Sequence, residues 1–277
     1  MILIADSGAT KTDWYAGDNP ENGQLIETKG INPFHLKEEE VFRIIREQLV
    51  AQLANADTCT AVYFYGAGCI PEKTGIIRRS LEHFFPRADI HIYTDLLGAA
   101  RAVCGKQPGI ACILGTGSNS CLYDGEQITD SISPLGYILG DEGSGAYIGK
   151  RFIADCLKRQ LPREIADDFC REYKLTPADI LDRVYRQPQA NLFLSAITPY
   201  IYRHKDIPEI QALLIDCFIE FFRRNILQYK QKLPVSFVGS IACFFEQELQ
   251  EAASRSGLHI ERVIKQPINS LIAYHWT

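Results

Sequence analysis

The chain opens Met1-Ile2-Leu3-Ile4-Ala5-Asp6-Ser7-Gly8-Ala9-Thr10-Lys11-Thr12-Asp13-Trp14, an apolar run that empties into small residues. Residues 1–5 suit a buried strand, and the small residues that follow let the backbone turn back into a second strand over 12–16. Such a turn is either an ordinary hairpin or a seat for phosphate. The chain around it bears on that choice. Strand patterns at 2–5, 13–16 and 24–28, joined by turns that include Asn19-Pro20 and Asn22-Gly23, predict three antiparallel strands. Val41, Ile45, Leu49 and Leu53 then lie at helical spacing over residues 38–53. An apolar strand at 60–65, a helix at 74–84, an alternating strand at 89–94 and a short helix at 95–104 complete the unit.

After Lys106-Gln107-Pro108-Gly109 the pattern starts again. Residues 110–114 read as a buried strand and Gly115-Thr116-Gly117-Ser118-Asn119 as a small-residue turn. Strands at 120–123 and 127–129 follow, with Asp124-Gly125 between them. Sliding one half over the other places Asp6-Ser7-Gly8 on Gly115-Thr116-Gly117 and Trp14 on Tyr123, the signature of a duplication. The second copy is interrupted at 144–232 by a helical block punctuated by Pro162, Pro177, Pro188, Pro199 and Pro208. A strand at 235–238, Gly239-Ser240, a helix to residue 255, a strand at 258–263 and a helix from 268 close the chain. The expectation is an α/β protein of two sheet domains meeting across a cleft. The first spans 1–105, with the last helix, 268–277, packing back on it; the second spans 106–267.

Composition bounds the function. Apolar residues make up 46% and charged residues 23% of 277, ordinary globular usage for a chain long enough for two domains. No stretch of about 18 uncharged apolar residues occurs and no basic leader precedes the first strand, so a cytoplasmic protein without a membrane partner is expected. Cys59, Cys69, Cys104, Cys112, Cys121, Cys156, Cys170, Cys217 and Cys243 show no C-x-x-C spacing and lie mostly in apolar runs. They read as reduced core thiols rather than a disulfide framework or a zinc site. The net charge of -5 offers no broad basic surface, which argues against nucleic acid.

Chemistry concentrates at three strand-end turns: Gly8 to Thr12, Gly115 to Asn119, and Gly239-Ser240. Each can present backbone N–H groups and hydroxyls to phosphate at the carboxyl end of a sheet. Glycine is suited because a Cβ would hold phosphate oxygens out of reach. No G-x-x-x-x-G-K-[ST] or G-x-G-x-x-G follows a strand, which disfavours a P-loop or dinucleotide fold. Asp6, at a strand end, either anchors its turn or holds hydrated Mg²⁺ beside polyphosphate. Asp95 reads as a helix N-cap, as a general base, or as both. Residues 134–145 form a glycine-rich loop in which Asp141 can take two hydroxyls of a polyol, and Ser144 can cap the next helix.

DSGATKT, the NPF around Asn32, YTD at Asp95, GTGSN, GDEGSGA and VGS, in that order, resemble the N-acetylglucosamine kinase and BadF-type ATPase family, within the actin, Hsp70 and sugar kinase superfamily. The match touches nearly the whole chain. It implies two ribonuclease H-like (actin-like ATPase) domains flanking a central cleft, with a helical insertion in the second. It implies ATP and Mg²⁺ as cofactors, with ATP held by Gly8, Thr10, Lys11, Gly115, Thr116, Gly117, Gly239 and Ser240. An amino sugar would be contacted by Asn32, Ser118, Asn119, Gly136 and Asp141, with Asp95 as base and Asp6 at the metal. Pro134-Leu135-Gly136 stands where many members carry Gly-Trp-Gly, and the helical block gives no clear counterpart to the family's further adenine contacts. Cys69 and Cys104 sit in no setting comparable to the cluster-binding Cys of the redox members. The expected activity is ATP-dependent phosphorylation of N-acetylglucosamine or a related amino sugar. A partner-driving ATPase and a non-catalytic sugar sensor are the alternatives, and a homodimer is the one protein assembly entertained.

Overall fold

A computed structural model describes residues 1–8 and 10–276. Ala9 of the first turn and Thr277, at the end of the expected last helix, lie outside the described residues. The chain divides into two units. One comprises Met1–Gln107, Gly125–Gln127 and Gln266–Thr277, the other Pro108–Asp124 and Ile128–Lys265.

The first unit is built on β1 (Ile2–Ser7), β2 (Lys11–Gly17), β3 (Gln24–Lys29), β4 (Ala61–Gly66) and β5 (Asp89–Thr94), ordered β3-β2-β1-β4-β5. β1, β2 and β3 form an antiparallel meander, and β4 and β5 run parallel to β1. Register puts Ser7, Gly66 and Thr94 in one row at the carboxyl ends of the parallel strands. Helices α1 (Glu38–Ile44), α2 (Gly75–Phe84) and α3 (Asp95–Cys104) connect and cover the sheet. Leu3, Trp14, Ile26, Val41, Val62, Phe64, Ile77 and Leu81 share its core. Each large side chain of this kind contributes about 1.5–3 kcal/mol on burial.

The second unit repeats the plan with β6 (Gly109–Leu114), β7 (Ser118–Tyr123), β8 (Ile128–Ile132), β9 (Val235–Val238) and β10 (Ile260–Ile264), ordered β10-β9-β6-β7-β8. β7 and β8 continue antiparallel on one side of β6, while β9 and β10 lie parallel on the other. A meander on one side of the first strand and parallel strands on the other, present twice, is the ribonuclease H-like arrangement of actin-like ATPases. Strand ends also correct the register of the repeat. Ser7 closes β1 as Leu114 closes β6, so Gly8 corresponds to Gly115 rather than Gly117, and Asp6 corresponds to Ile113. The acid at the first turn therefore has no acidic counterpart in the second.

Between β8 and β9 run α4 (Gly136–Leu139), α5 (Gly145–Leu157), α6 (Arg163–Tyr173), α7 (Pro177–Tyr185), α8 (Ala190–Ser195), α9 (Thr198–Arg203) and α10 (Pro208–Arg224). Proline stands in the first turn of α7, α9 and α10, where its missing N–H costs no helical hydrogen bond. Phe152, Phe169, Phe218, Phe221, Phe222 and Phe237 fill the core. After β9, α11 (Ser240–Phe244) and α12 (Glu246–Arg255) replace the single helix expected there, and α13 (Ile268–Trp276) closes the chain in the first unit.

Two other local expectations change. Residues 38–53 do not form one α-helix: the chain widens to a π turn at Ile45–Leu49 and tightens to a 3₁₀ turn at Val50–Gln52. Val41, Ile45 and Leu49 stay buried together through the wider turn. Residues 134–145 are not all loop, since α4 lies inside them. Among the described residues, no helix is long and apolar enough to cross a membrane.

Candidate functional site

In the first unit the site is the rim where β1, β4 and β5 end. The β1–β2 turn is closed by Gly8 N–H donating to the Lys11 carbonyl at 2.9 Å, while Gly30 N–H reaches the Thr10 carbonyl at 3.0 Å. Beneath it, buried Ser7 and Thr12 share a hydroxyl hydrogen bond of 2.7 Å, and Ser7 Oγ accepts from Ile31 N–H. The turn is thus fixed by hydrogen bonds that owe nothing to a side chain at position 8. Among the described residues, a Cβ added at Gly8 would meet only the Lys11 carbonyl oxygen, at 3.7 Å. Packing does not demand glycine there, so the open space above the turn is its remaining use.

Asp6 and Asp13 lie opposite each other across β1 and β2. Burial, then the charges of Asp13 and Asp95, push the Asp6 carboxyl up to about 7, with Lys11 pulling the other way. Lys11 pairs with Asp13 at 2.8 Å and with Glu27 at 3.5 Å, so its ammonium is shared with the acids of its own strand and the next. Burial and the two neighbouring carboxylates make ionised Asp6 costly without a counter-charge, which a cation beside it would supply. No group of three or more His, Cys, Asp or Glu among the described residues is arranged to chelate a metal. A one-carboxylate site that leaves most of the shell to water and phosphate is the mode Mg²⁺ prefers.

The burdened carboxylate gives a stability prediction. A folded-state value near 7 against 3.8 means that burying ionised Asp6 costs stability in full above pH 7, and that this cost fades as pH falls toward 4. In metal-free buffer Asp6→Asn is therefore expected to raise Tm at pH 8, with a smaller gain at pH 5. Calorimetry at the two pH values checks it, and an equal or larger gain at pH 5 refutes it.

Asp95 is the first residue of α3. The helix N-cap is Thr94, whose Oγ1 accepts from Leu97 N–H at 3.2 Å, so the expectation that Asp95 itself caps the helix is corrected. Asp95 Oδ1 accepts from Leu96 N–H at 2.9 Å, which fixes its rotamer at the helix start. Burial raises its carboxyl, partly offset by backbone hydrogen bonds, which moves it toward the range useful in a base. Cys69, in the turn after β4, feels the Asp95 charge. Asn32 Oδ1 accepts from Phe34 N–H at 2.9 Å and lies against Gly68 of that same turn, where a Cβ would fall 2.5 Å from it.

In the second unit, Gly115-Thr116-Gly117 is closed by Gly115 N–H donating to the Gly117 carbonyl at 3.0 Å. The first amides of α5 hold it from below, Gly145 N–H to the Gly115 carbonyl at 2.8 Å and Ala146 N–H to the Thr116 carbonyl at 3.1 Å. Nothing lies within 4 Å of a Cβ built on Gly115. Gly239 is the opposite case: its φ is +129° and a Cβ would overlap the Leu114 carbonyl oxygen, so tight packing alone requires glycine there.

Asp141 is buried in a left-handed conformation, φ 53°. Its Oδ1 lies 3.5 Å from Ser118 N–H, and its Oδ2 would lie 3.1 Å from a Cβ at Gly117. Burial pushes its carboxyl up to about 6; Ser118 N–H and Lys150 counter this while Glu142 adds to it. Buried Glu142 is tied to Arg224 at 2.8 Å, and Lys150 Nζ donates to the Tyr137 carbonyl at 2.8 Å, so both hold the loop rather than point free. Ser144 caps α5 through Tyr147 N–H, as expected. Asn119 Oδ1 accepts from Ser120 N–H at 2.9 Å, and Gly136 lies exposed at φ 73° with open space about it.

A cavity of about 570 Å³ opens beside the second turn. Thr116 and Ser240 form one edge of it, and Pro199, Tyr202, Phe244 and Phe245 give an apolar wall. Tyr202 packs on Phe244 and Phe245 with ring centroids 5.6 and 5.8 Å apart. The volume suits a small-molecule ligand, and the aromatic wall suits a flat apolar group. Pro199 and Tyr202 of the helical block thus share this wall with Phe244 and Phe245, which follow β9.

No family model matches the chain, and no curated protein does. Among solved structures, a Porphyromonas gingivalis protein assigned as an N-acetylglucosamine kinase shares 45% identity, with 99% of this chain and 98% of that one covered, at a TM-score of 0.95. A Chromobacterium violaceum protein with the same assignment superposes at 0.66 with 19% identity, covering 99% and 97%. A ROK family glucokinase from Streptomyces griseus, solved with glucose and AMPPNP, superposes at 0.58 with 12% identity, covering 99% and 97%. The last two share the fold with this chain; the first shares fold and sequence over its whole length. The chain belongs to the N-acetylglucosamine kinase family of the actin-like ATPase fold.

Proposed function

We propose that the protein is a phosphotransferase that moves the γ-phosphoryl group of ATP to a hydroxyl of N-acetylglucosamine or a related amino sugar. The observation that carries this reading is the cavity lined by Thr116 of the second glycine turn and by Ser240, with Tyr202 and Phe244 in its wall. A purine fits the apolar wall, while the open space at Gly115 leaves room for phosphate beside the amides of Thr116 and Gly117. Gly239 acts by packing, leaving Ser240 as the group of that turn that touches ligand. In the first unit Gly8 leaves room for the phosphates, and Thr10 and Lys11 are their donors. Asn32, Ser118, Asn119, Gly136 and Asp141 are the sugar contacts, with Asp141 accepting from two hydroxyls.

In the reaction the sugar oxygen bonds to the γ-phosphorus, the bond from that phosphorus to the β–γ bridging oxygen breaks, and ADP departs. The hydroxyl proton passes to Asp95, held in place at the helix start by Leu96 N–H. Mg²⁺, held at Asp6, would neutralise charge on the phosphates. Kinship to an N-acetylglucosamine kinase at 45% identity supports the substrate class.

The test is a panel of N-acetylglucosamine, N-acetylmannosamine, glucosamine and glucose with ATP, followed by chromatography of the sugar phosphates. N-acetylglucosamine or a close relative is expected to give a sugar phosphate with matched ADP. Slow ADP release with no phosphorylated sugar anywhere in the panel would refute the kinase reading.

A further inference from the structure

We propose that Arg101 is a positioning residue for Asp95, clamping α3 between the sheet of the first unit and the closing helix α13; this rests on the reading of Asp95 as the base. Arg101 lies six residues beyond Asp95 on the same helix. Its guanidinium stacks against three rings, 4.5 Å from the centroid of Tyr93, 5.2 Å from Tyr274 and 5.8 Å from Tyr65. Its Nη1 donates to Tyr65 Oη at 2.8 Å, and Tyr65 Oη in turn meets His275 Nε2 at 2.9 Å. Nε is buried without a hydrogen-bond partner. Among the described residues no carboxylate pairs with this guanidinium, and aromatic faces and the hydroxyls of Tyr65 and Tyr93 hold it.

The placement of the clamp is what gives it a functional consequence. Tyr65 sits in register between Asp6 on β1 and Tyr93 on β5, so these three side chains emerge on one face of the sheet. α3 lies close against Tyr65, since a Cβ on Gly98 would come 2.9 Å from the tyrosine Cβ. The helix contacts α13 along much of its length, and α13 supplies both Tyr274 and His275. β4, β5 and α13 thus meet at one guanidinium of α3 and fix the rotation of the helix that begins with Asp95. A guanidinium suits the task because its planar fork can stack and donate at once, with less freedom to lose than an ammonium.

The test uses the full chain with Arg101→Ala, Arg101→Lys and Tyr65→Phe. Arg101→Ala is expected to lower kcat about 10- to 100-fold, the scale of a misplaced catalytic group. KM for ATP should stay within about two-fold, since nucleotide binding is not touched. Arg101→Lys, which keeps the charge but not the planar fork, should recover only part of the loss. Tyr65→Phe should act in the same direction more mildly, and it deletes only a hydroxyl, so it remains informative should Arg101→Ala not fold. Hydrogen exchange at the Leu96 and Leu97 amides should quicken about 10-fold in Arg101→Ala as the helix start loosens. The proposal is overturned by unchanged exchange at those amides, by unchanged kcat, or by kcat and KM moving together. Wild-type protein that phosphorylates no sugar would sink the kinase reading instead, and the exchange measurement would still decide the clamp.

Discussion

Asp95→Asn is expected to lower kcat for sugar phosphorylation by about 100- to 10,000-fold, the usual worth of a positioned general base. ATP binding should be nearly unchanged. The substitution is mild to the fold. Asparagine retains an oxygen that can accept from Leu96 N–H, and the α3 cap is made by Thr94, which is untouched. It also removes a carboxyl that burial disfavours when charged, so Tm should hold or rise slightly at pH 8. What asparagine cannot do is accept the proton of the attacking hydroxyl. Turnover by coupled ADP assay, beside ATP affinity by calorimetry, separates the two effects. A variant with kcat within about 10-fold of wild type would leave Asp95 as a helix-start residue and no more.

The second large effect separates glycines that shape the chain from glycines that make room. Gly239→Ala is expected to destabilise the second unit by about 3 kcal/mol or more, because φ +129° is nearly closed to other residues and the Leu114 carbonyl occupies the place of a Cβ. A fall in Tm of about 10 °C or failure to fold would follow. Gly115→Ala should leave Tm nearly unchanged, since no atom lies within 4 Å of the new methyl. It should nonetheless raise KM for ATP about 10-fold or more, because the methyl stands where phosphate oxygens approach the turn amides. Gly8→Ala should resemble Gly115→Ala. Thermal melts and ATP titrations of the three variants give the comparison. A destabilised Gly115→Ala with normal KM would return that turn to a purely structural role.

These glycines also show how far the sequence reaches. DSGATKT and GTGSN name both turns, yet the letters treat Gly8, Gly115 and Gly239 alike. Only the Leu114 carbonyl beside Gly239, and the open space at Gly115, tell packing from ligand room. The repeat was legible, but its register was not: sequence similarity matched Gly8 to Gly117, whereas strand ends match it to Gly115. Side-chain resemblance in a short turn is weaker than the hydrogen-bonded ladder that fixes where a strand stops. Asp13 carries no local signal, because its weight comes from lying opposite Asp6 across the ladder, not from its neighbours in the chain.

Local chemistry was determined by the sequence itself: ten strands and their turns, Ser144 as a cap, prolines opening helices, and the doubled plan with its helical insertion. Those features depend on residues a few positions apart, through alternating burial, fixed φ and side-chain hydrogen bonds to nearby amides. The cavity wall, the crowding of Asp6 by Asp13 and Asp95, and the seating of Arg101 among Tyr65, Tyr93 and Tyr274 were decided by tertiary structure alone. In each, the farthest partners lie about 90 to about 170 positions apart. Their meeting depends on strand register and on the rotation of helices that can bury an apolar stripe in more than one way until the rest of the core chooses.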